Sequence, residues 1–96
     1  MVQVEWSLRA SRRLGRRTRF LARKNPRAAR DANAAVLLAS YGLADFPNVG
    51  RPYARQPDRL RELIVPFGSE GYALLYYVED DRVVIASVKH QREASY

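Results

Sequence analysis

The chain has a single histidine, His90, followed by Arg92 and Tyr96, and further upstream an adjacent Arg61-Glu62 pair. An imidazole can give or take a proton near neutral pH, a guanidinium can clamp a phosphate, and a tyrosine ring can stack on a base. Glu62 can serve as a general base if it stands on an open sheet face. Each group also has an ordinary reading. A lone histidine just past a strand is usually a surface or packing residue, Arg92-Glu93 reads as a solvated tail pair, and Glu62 beside Arg61 reads as an outward strand residue. There is no cysteine, which excludes a disulfide framework, a thiolate metal site and a cysteine nucleophile. One histidine cannot build a metal cage, so neither metal nor cofactor is expected.

The second concentration of chemistry is charge. Lysine and arginine number 17 against 10 acids, for a formal net charge of +7. Arg9, Arg12, Arg13, Arg16, Arg17, Arg19, Arg23 and Lys24 follow one another with no acid between Glu5 and Asp31. Such a segment attracts polyanions, whether nucleic acid or an acidic protein. A solvated helix face is the commonplace account of charge runs, but unbroken positive sign is more than solubility requires.

These residues need elements to position them. Val2–Trp6 alternates polar and apolar types, placing Val2, Val4 and Trp6 on one face of a first strand. Ser7 is a good N-cap for a helix to Lys24 with a thin apolar stripe at Ala10, Leu14 and Leu21. Asn25-Pro26 supplies the next cap and a proline at the first helical position, so a second helix follows at once in an αα-hairpin. Ala29, Ala32, Val36, Ala39 and Leu43 share its apolar face, and Gly42 is suited to a left-handed C-cap. Ala44–Asp58 carries Pro47, Gly50, Pro52 and Pro57 and reads as a long loop without regular structure. Three strands follow at Arg59–Val65, Tyr72–Glu79 and Arg82–Lys89, joined by Phe67–Gly71 and by Asp80-Asp81. Tyr72 and Tyr76 fall on one face of the central strand as core, and Tyr77 on the other. The expected fold is α+β, in the order β-α-α-β-β-β, with the hairpin packed on one side of a four-stranded antiparallel sheet. The thin stripe on the first helix leaves an apolar groove expected between hairpin and sheet.

Residues 1–96 read as one domain, since a chain of 96 residues supports one core. No stretch approaches a bilayer span, and Met1 leads straight into the first strand with no signal-peptide h-region, so the expected location is cytoplasmic, with no membrane partner.

In combination these segments resemble the ParE/RelE toxins of type II toxin–antitoxin systems. The resemblance rests on Val4-Glu5-Trp6-Ser7, the αα-hairpin, Pro47–Arg51, Leu60-Arg61-Glu62-Leu63, Gly71-Tyr72, Leu75-Tyr76, Asp81–Ile85 and His90-Gln91-Arg92-Glu93. It implies a growth-arresting, plasmid-stabilising class of toxin neutralised by a cognate antitoxin that wraps its sheet and helices. The family divides by target. RelE-like members cleave messenger RNA on the ribosome; ParE-like members inhibit DNA gyrase. Where RNA-cleaving members commonly carry arginine around the Gly-Tyr turn, this chain has Gly68 and Ala73, so two cations are missing. The reading that follows is a non-enzymatic gyrase inhibitor, with Arg9, Arg12, Arg13, Arg16, Arg17, Leu14 and Leu21 as the surface for target or antitoxin. The alternative is a ribosome-dependent endonuclease using His90, Arg92 and Tyr96, with Arg61 and Glu62 as helpers. A plain RNA-binding module is a third reading. No small-molecule ligand is expected.

Overall fold

The computed structural model describes residues 2–96, with Met1 outside the described residues. Its elements are β1 (Gln3–Trp6), α1 (Leu8–Lys24), α2 (Pro26–Gly42), β2 (Arg51–Pro52), β3 (Arg61–Phe67), β4 (Glu70–Glu79) and β5 (Arg82–His90). Ser7 ends β1 and starts α1: its Oγ accepts from the Ala10 N–H and donates to the Ala86 carbonyl, both at 3.0 Å. Asn25 alone separates the helices. Its backbone N–H closes α1 on the Leu21 carbonyl, and its side chain accepts from the Ala28 N–H at 3.1 Å to open α2.

The sheet order is β1-β5-β4-β3-β2. The meander β3-β4-β5 is antiparallel as expected, and the α+β layering stands, but two details differ. β1 joins the outer edge of β5 in parallel, with Gln3 opposite Arg82 and Trp6 opposite Ile85. No hairpin links these distant segments, so direction is set by where α1 must begin, which the Ser7 N–H to Ile85 carbonyl bond determines. The proline-rich loop is also not wholly irregular. Arg51 and Pro52 pair with Glu62 and Arg61 as a two-residue edge strand, where the missing proline N–H is not required.

The Asp80-Asp81 turn falls where expected, but the β3–β4 hairpin is tighter than the sequence suggests. β3 and β4 continue through Phe67 and Glu70, leaving a two-residue turn in which Gly68 takes φ 61°. Gly42 does not adopt the left-handed conformation. α2 ends instead in short-range turns, Leu43 N–H to Ser40 carbonyl and Ala44 N–H to Tyr41 carbonyl, each 3.1 Å, which keep Leu43 right-handed.

One face of the sheet carries the core. Tyr72, Leu74 and Tyr76 of β4 and Val83, Ile85 and Val88 of β5 are buried against Ala10 and Leu14 of α1 and Ala32 and Val36 of α2. Trp6 Nε1 donates to Ser40 Oγ at 3.1 Å and fastens β1 to α2. The groove expected between hairpin and sheet is of mixed character, with Leu14, Leu21, Phe67 and Val88 among charged groups. Arg13, Arg17, Tyr72, His90 and Glu93 fill that seam, so the stems of long side chains extend the thin stripe of α1. Exposed apolar side chains stand at Leu8 and Phe20 on α1, at Leu38 and Tyr41 on α2, and at Phe46 and Val49 in the following loop. Among the described residues no helix is long and apolar enough to cross a membrane.

Candidate functional site

A single β-bulge decides which side chains meet. Leaving the Asp80-Asp81 turn, Val83 pairs with Val78 and Ile85 with Tyr76, both on the helix-covered face. Leu75 then pairs with Ser87, so Ala86 is the extra residue. An extra residue inverts the alternation beyond it. Val88 and His90 therefore turn toward the helices, while Ser87 and Lys89 turn toward the open face with Leu75, Ala73 and Glu62.

On the helix side, His90 packs edge-to-face on Tyr72, with ring centroids 5.3 Å apart. Its Nε2 lies 3.2 Å from a Glu70 carboxylate oxygen, and its Nδ1 accepts the Arg92 backbone N–H at 3.2 Å. Since Nδ1 accepts, the proton belongs on Nε2, an assignment made from the partners. Burial and the Arg17 charge hold this imidazole below its ordinary pKa, against the pull of Glu70. It is a neutral histidine with both nitrogens engaged. The Arg92 guanidinium pairs with the same Glu70 carboxylate.

On the open face, the Glu62 carboxylate accepts from Tyr96 Oη at 2.5 Å and from Arg51 Nε at 2.9 Å, with Arg51 Nη2 at 2.8 Å. Burial alone raises the Glu62 pKa, but hydrogen bonds from Tyr96 and Arg51, with the charges of Arg51 and Lys89, bring it below the ordinary value. Tyr96 is shifted up by burial and by donating to this carboxylate. Its ring lies under the Lys89 ammonium at 5.1 Å and edge-to-face with Tyr53 at 5.7 Å. The face also offers Arg59 stacked over Tyr77 at 5.1 Å. The result is an ionised carboxylate framed by cations and aromatic rings.

Two supports hold this cluster. The loop that presents Arg51 is pinned from below, because the Gly50 N–H donates to the buried Tyr76 hydroxyl at 2.9 Å. Arg61 donates to the carbonyls of Asn48 at 3.2 Å and Gly50 at 2.7 Å. The segment ending at Tyr96 is tied to α1. Arg13 Nε donates to the Val88 carbonyl at 2.8 Å and Nη2 to the Ser95 carbonyl at 3.0 Å, with the Glu93 carboxylate at 3.2 Å; Arg9 bonds the Tyr96 carbonyl.

The five side chains singled out for RNA chemistry thus fall into three groups: Glu62 with Tyr96, His90 with Arg92, and Arg61 alone as a loop clamp. Of the proposed contact surface, Leu14 is buried and Leu21 is packed against the core, while Arg12 and Arg16 are exposed. Arg51, Lys89 and Tyr53 were not foreseen in this setting. Pro47–Arg51 was conspicuous as a motif, but nothing in its spacing ties Arg51 to Glu62. Lys89 required the bulge.

Among known proteins, residues 4–95 match the family model described as the ParE toxin of the type II toxin–antitoxin system, parDE. The chain is 40% identical over 93 residues to Toxin RelE3 of Caulobacter vibrioides, covering 97% of this chain and 98% of that protein. In fold it is similar to a solved chain of the chromosomal ParDE toxin–antitoxin system from P. aeruginosa. That match has TM-score 0.78 at 16% identity and covers 94% of this chain and 96% of the other.

Proposed function

The chain belongs to the ParE toxin family of type II toxin–antitoxin systems, and from that premise we propose that it arrests growth by binding and inhibiting DNA gyrase. A toxin of this family works against a cognate antitoxin, which is the partner expected here. The observation that carries the gyrase reading is the separation of His90 and Arg92 from the open face that holds Glu62 and Tyr96. RNA cleavage through a 2′-hydroxyl needs an acceptor, a donor and cations converging on one phosphate. His90 is turned inward with both nitrogens engaged, and Arg92, though largely exposed, pairs with Glu70 on the side away from Glu62. Gly68 and Ala73 contribute no charge. A cytoplasmic location follows from the target.

A second reading has its own support. The 40% identical relative is named Toxin RelE3, and Glu62 does stand on the open face beside Arg51, Lys89 and Tyr96. In that reading Glu62 is the base, Arg51 and Lys89 face the phosphate, and Tyr96 stacks or donates. The deciding experiment runs purified toxin in a gyrase supercoiling assay and in a translating extract read by primer extension. The gyrase reading expects lost supercoiling, intact message, and Glu62→Gln within about threefold of wild type. Codon-associated cuts that fall on the order of 100-fold or more in Glu62→Gln would establish the endonuclease instead.

A further inference from the structure

α1 presents two rows of arginine with different fates. Arg9 and Arg13 are spent on the segment ending at Tyr96. Arg12, Arg16, Arg19 and Arg23 recur at the i, i+4, i+7 and i+11 positions of one helix face, and all four are exposed. None of the four enters a salt bridge among the described residues. At 1.5 Å per residue the row runs about 17 Å along the helix. Gly15 lies inside it, and a Cβ there would sit 3.3 Å from Arg19 Nη1, so the missing side chain makes room for that guanidinium against the helix. Ser11, Arg12, Gly15, Arg16 and Arg19 line an open cleft beside the row.

Four like charges at these spacings repel one another by a few tenths of a kcal/mol per pair. Among the described residues no salt bridge offsets that repulsion. We propose that this ridge binds the phosphate backbone of duplex DNA, an extension of the gyrase reading in which the toxin also touches the DNA that gyrase holds.

The composition of the ridge chooses among polyanions. A partner helix would need apolar anchors among the charges, and a single strand would need aromatic platforms for its bases. The four ridge positions carry neither; beside them α1 exposes only Leu8, one turn before Arg12, and Phe20, whose ring is already taken by Arg17 and Lys24. A double helix requires only cations, and over about 17 Å it presents about ten phosphate charges. B-form DNA has a major groove about 12 Å wide that admits a helix, whereas the major groove of duplex RNA is too narrow.

Anisotropy of a fluorescein-labelled 20-base-pair duplex, with free toxin and no gyrase present, tests the ridge separately from gyrase inhibition. Four phosphate contacts predict a log–log salt slope of about −3.6, so affinity should fall about 150-fold between 50 and 200 mM salt. The Arg12→Ala/Arg16→Ala/Arg19→Ala/Arg23→Ala variant should lose about one unit of slope per arginine, and the matching lysine variant should keep most of it. These changes relieve repulsion on an exposed helix face, so circular dichroism should show the fold intact. Arg55→Ala/Arg59→Ala, which removes charge elsewhere, should change the slope by less than half a unit per residue. The proposal is overturned if that loop variant loses as much per charge, if the ridge variant binds like wild type, or if single-stranded RNA or polyglutamate binds more tightly than the duplex. A negative result here leaves the supercoiling assay to judge gyrase inhibition by itself.

Discussion

Two titratable clusters lie on opposite faces of the same sheet, His90 with Glu70 on the helix side and Glu62 with Arg51 and Tyr96 on the open side. Both centre on a group that could move a proton, and their surroundings have driven them in opposite directions. Under the helices, burial and a neighbouring cation keep the imidazole neutral, and each nitrogen is committed to one partner. On the open face, hydrogen bonds and cations outweigh burial and keep the carboxylate charged. The difference teaches that the face a residue takes, more than its type, decides whether it is structural or available. Here one extra residue at Ala86 makes that choice.

The sharpest way to break the contrast is to remove the support under the open face. Gly50 is 1 of only 5 glycines in the chain, and an added Cβ would stand 2.7 Å from the Tyr76 hydroxyl and 2.9 Å from the Glu62 carbonyl. Tyr76 is fully buried, so its ring cannot swing away. Gly50→Ala should therefore cost about 2–3 kcal/mol, as overpacking does, and lower the melting temperature by on the order of 10–20 °C. Arg51 should lose its seat on Glu62 as well. An unchanged melting temperature would mean that the loop is held by something other than Tyr76.

The two clusters should also separate in pH. His90 has a folded-state pKa below its ordinary 6.5, so the unfolded chain binds that proton first. Its contribution is present above pH 6.5 and is lost as pH falls below it. Glu62 is likewise lowered from 4.5, and its contribution is lost only below that value. Acid unfolding followed by melting temperature should show an upper limb removed by His90→Gln and a lower limb removed by Glu62→Gln. If His90→Gln leaves the upper limb intact, the histidine is not the neutral, buried group described here.

Much of this architecture was legible beforehand, for identifiable reasons. Ser7 and Asn25-Pro26 are side chains whose local hydrogen bonding marks helix starts, and the two apolar stripes have helical period. The meander announced itself through alternation and turn residues. β2 was hidden because two residues, one of them proline, carry no period. The direction of β1 was hidden because pairing across some eighty residues leaves no local trace. The site suffered most from the bulge. Plain alternation from Val83 puts Lys89 under the helices and His90 on the open face beside Glu62, which is the endonuclease arrangement; the insertion at Ala86 exchanges them.

The bulge leaves one further mark, and it yields the smallest of the expected effects. Ser87, the first residue beyond it, turns to the open-face side opposite Leu75 yet is only 2% exposed, and its hydroxyl has no hydrogen-bond partner among the described residues. A buried, unsatisfied hydroxyl costs about 1–3 kcal/mol, whereas a methyl group in the same space costs nothing in desolvation. Ser87→Ala should accordingly raise stability by about 1 kcal/mol, a gain of roughly 4–8 °C in melting temperature for a domain of this size. The gain should be confined to stability, because Ser87 touches neither carboxylate cluster. Should Ser87→Ala melt lower than wild type, the hydroxyl has a partner in solution, and the inverted strand beyond Ala86 is held by polar contacts rather than by burial alone.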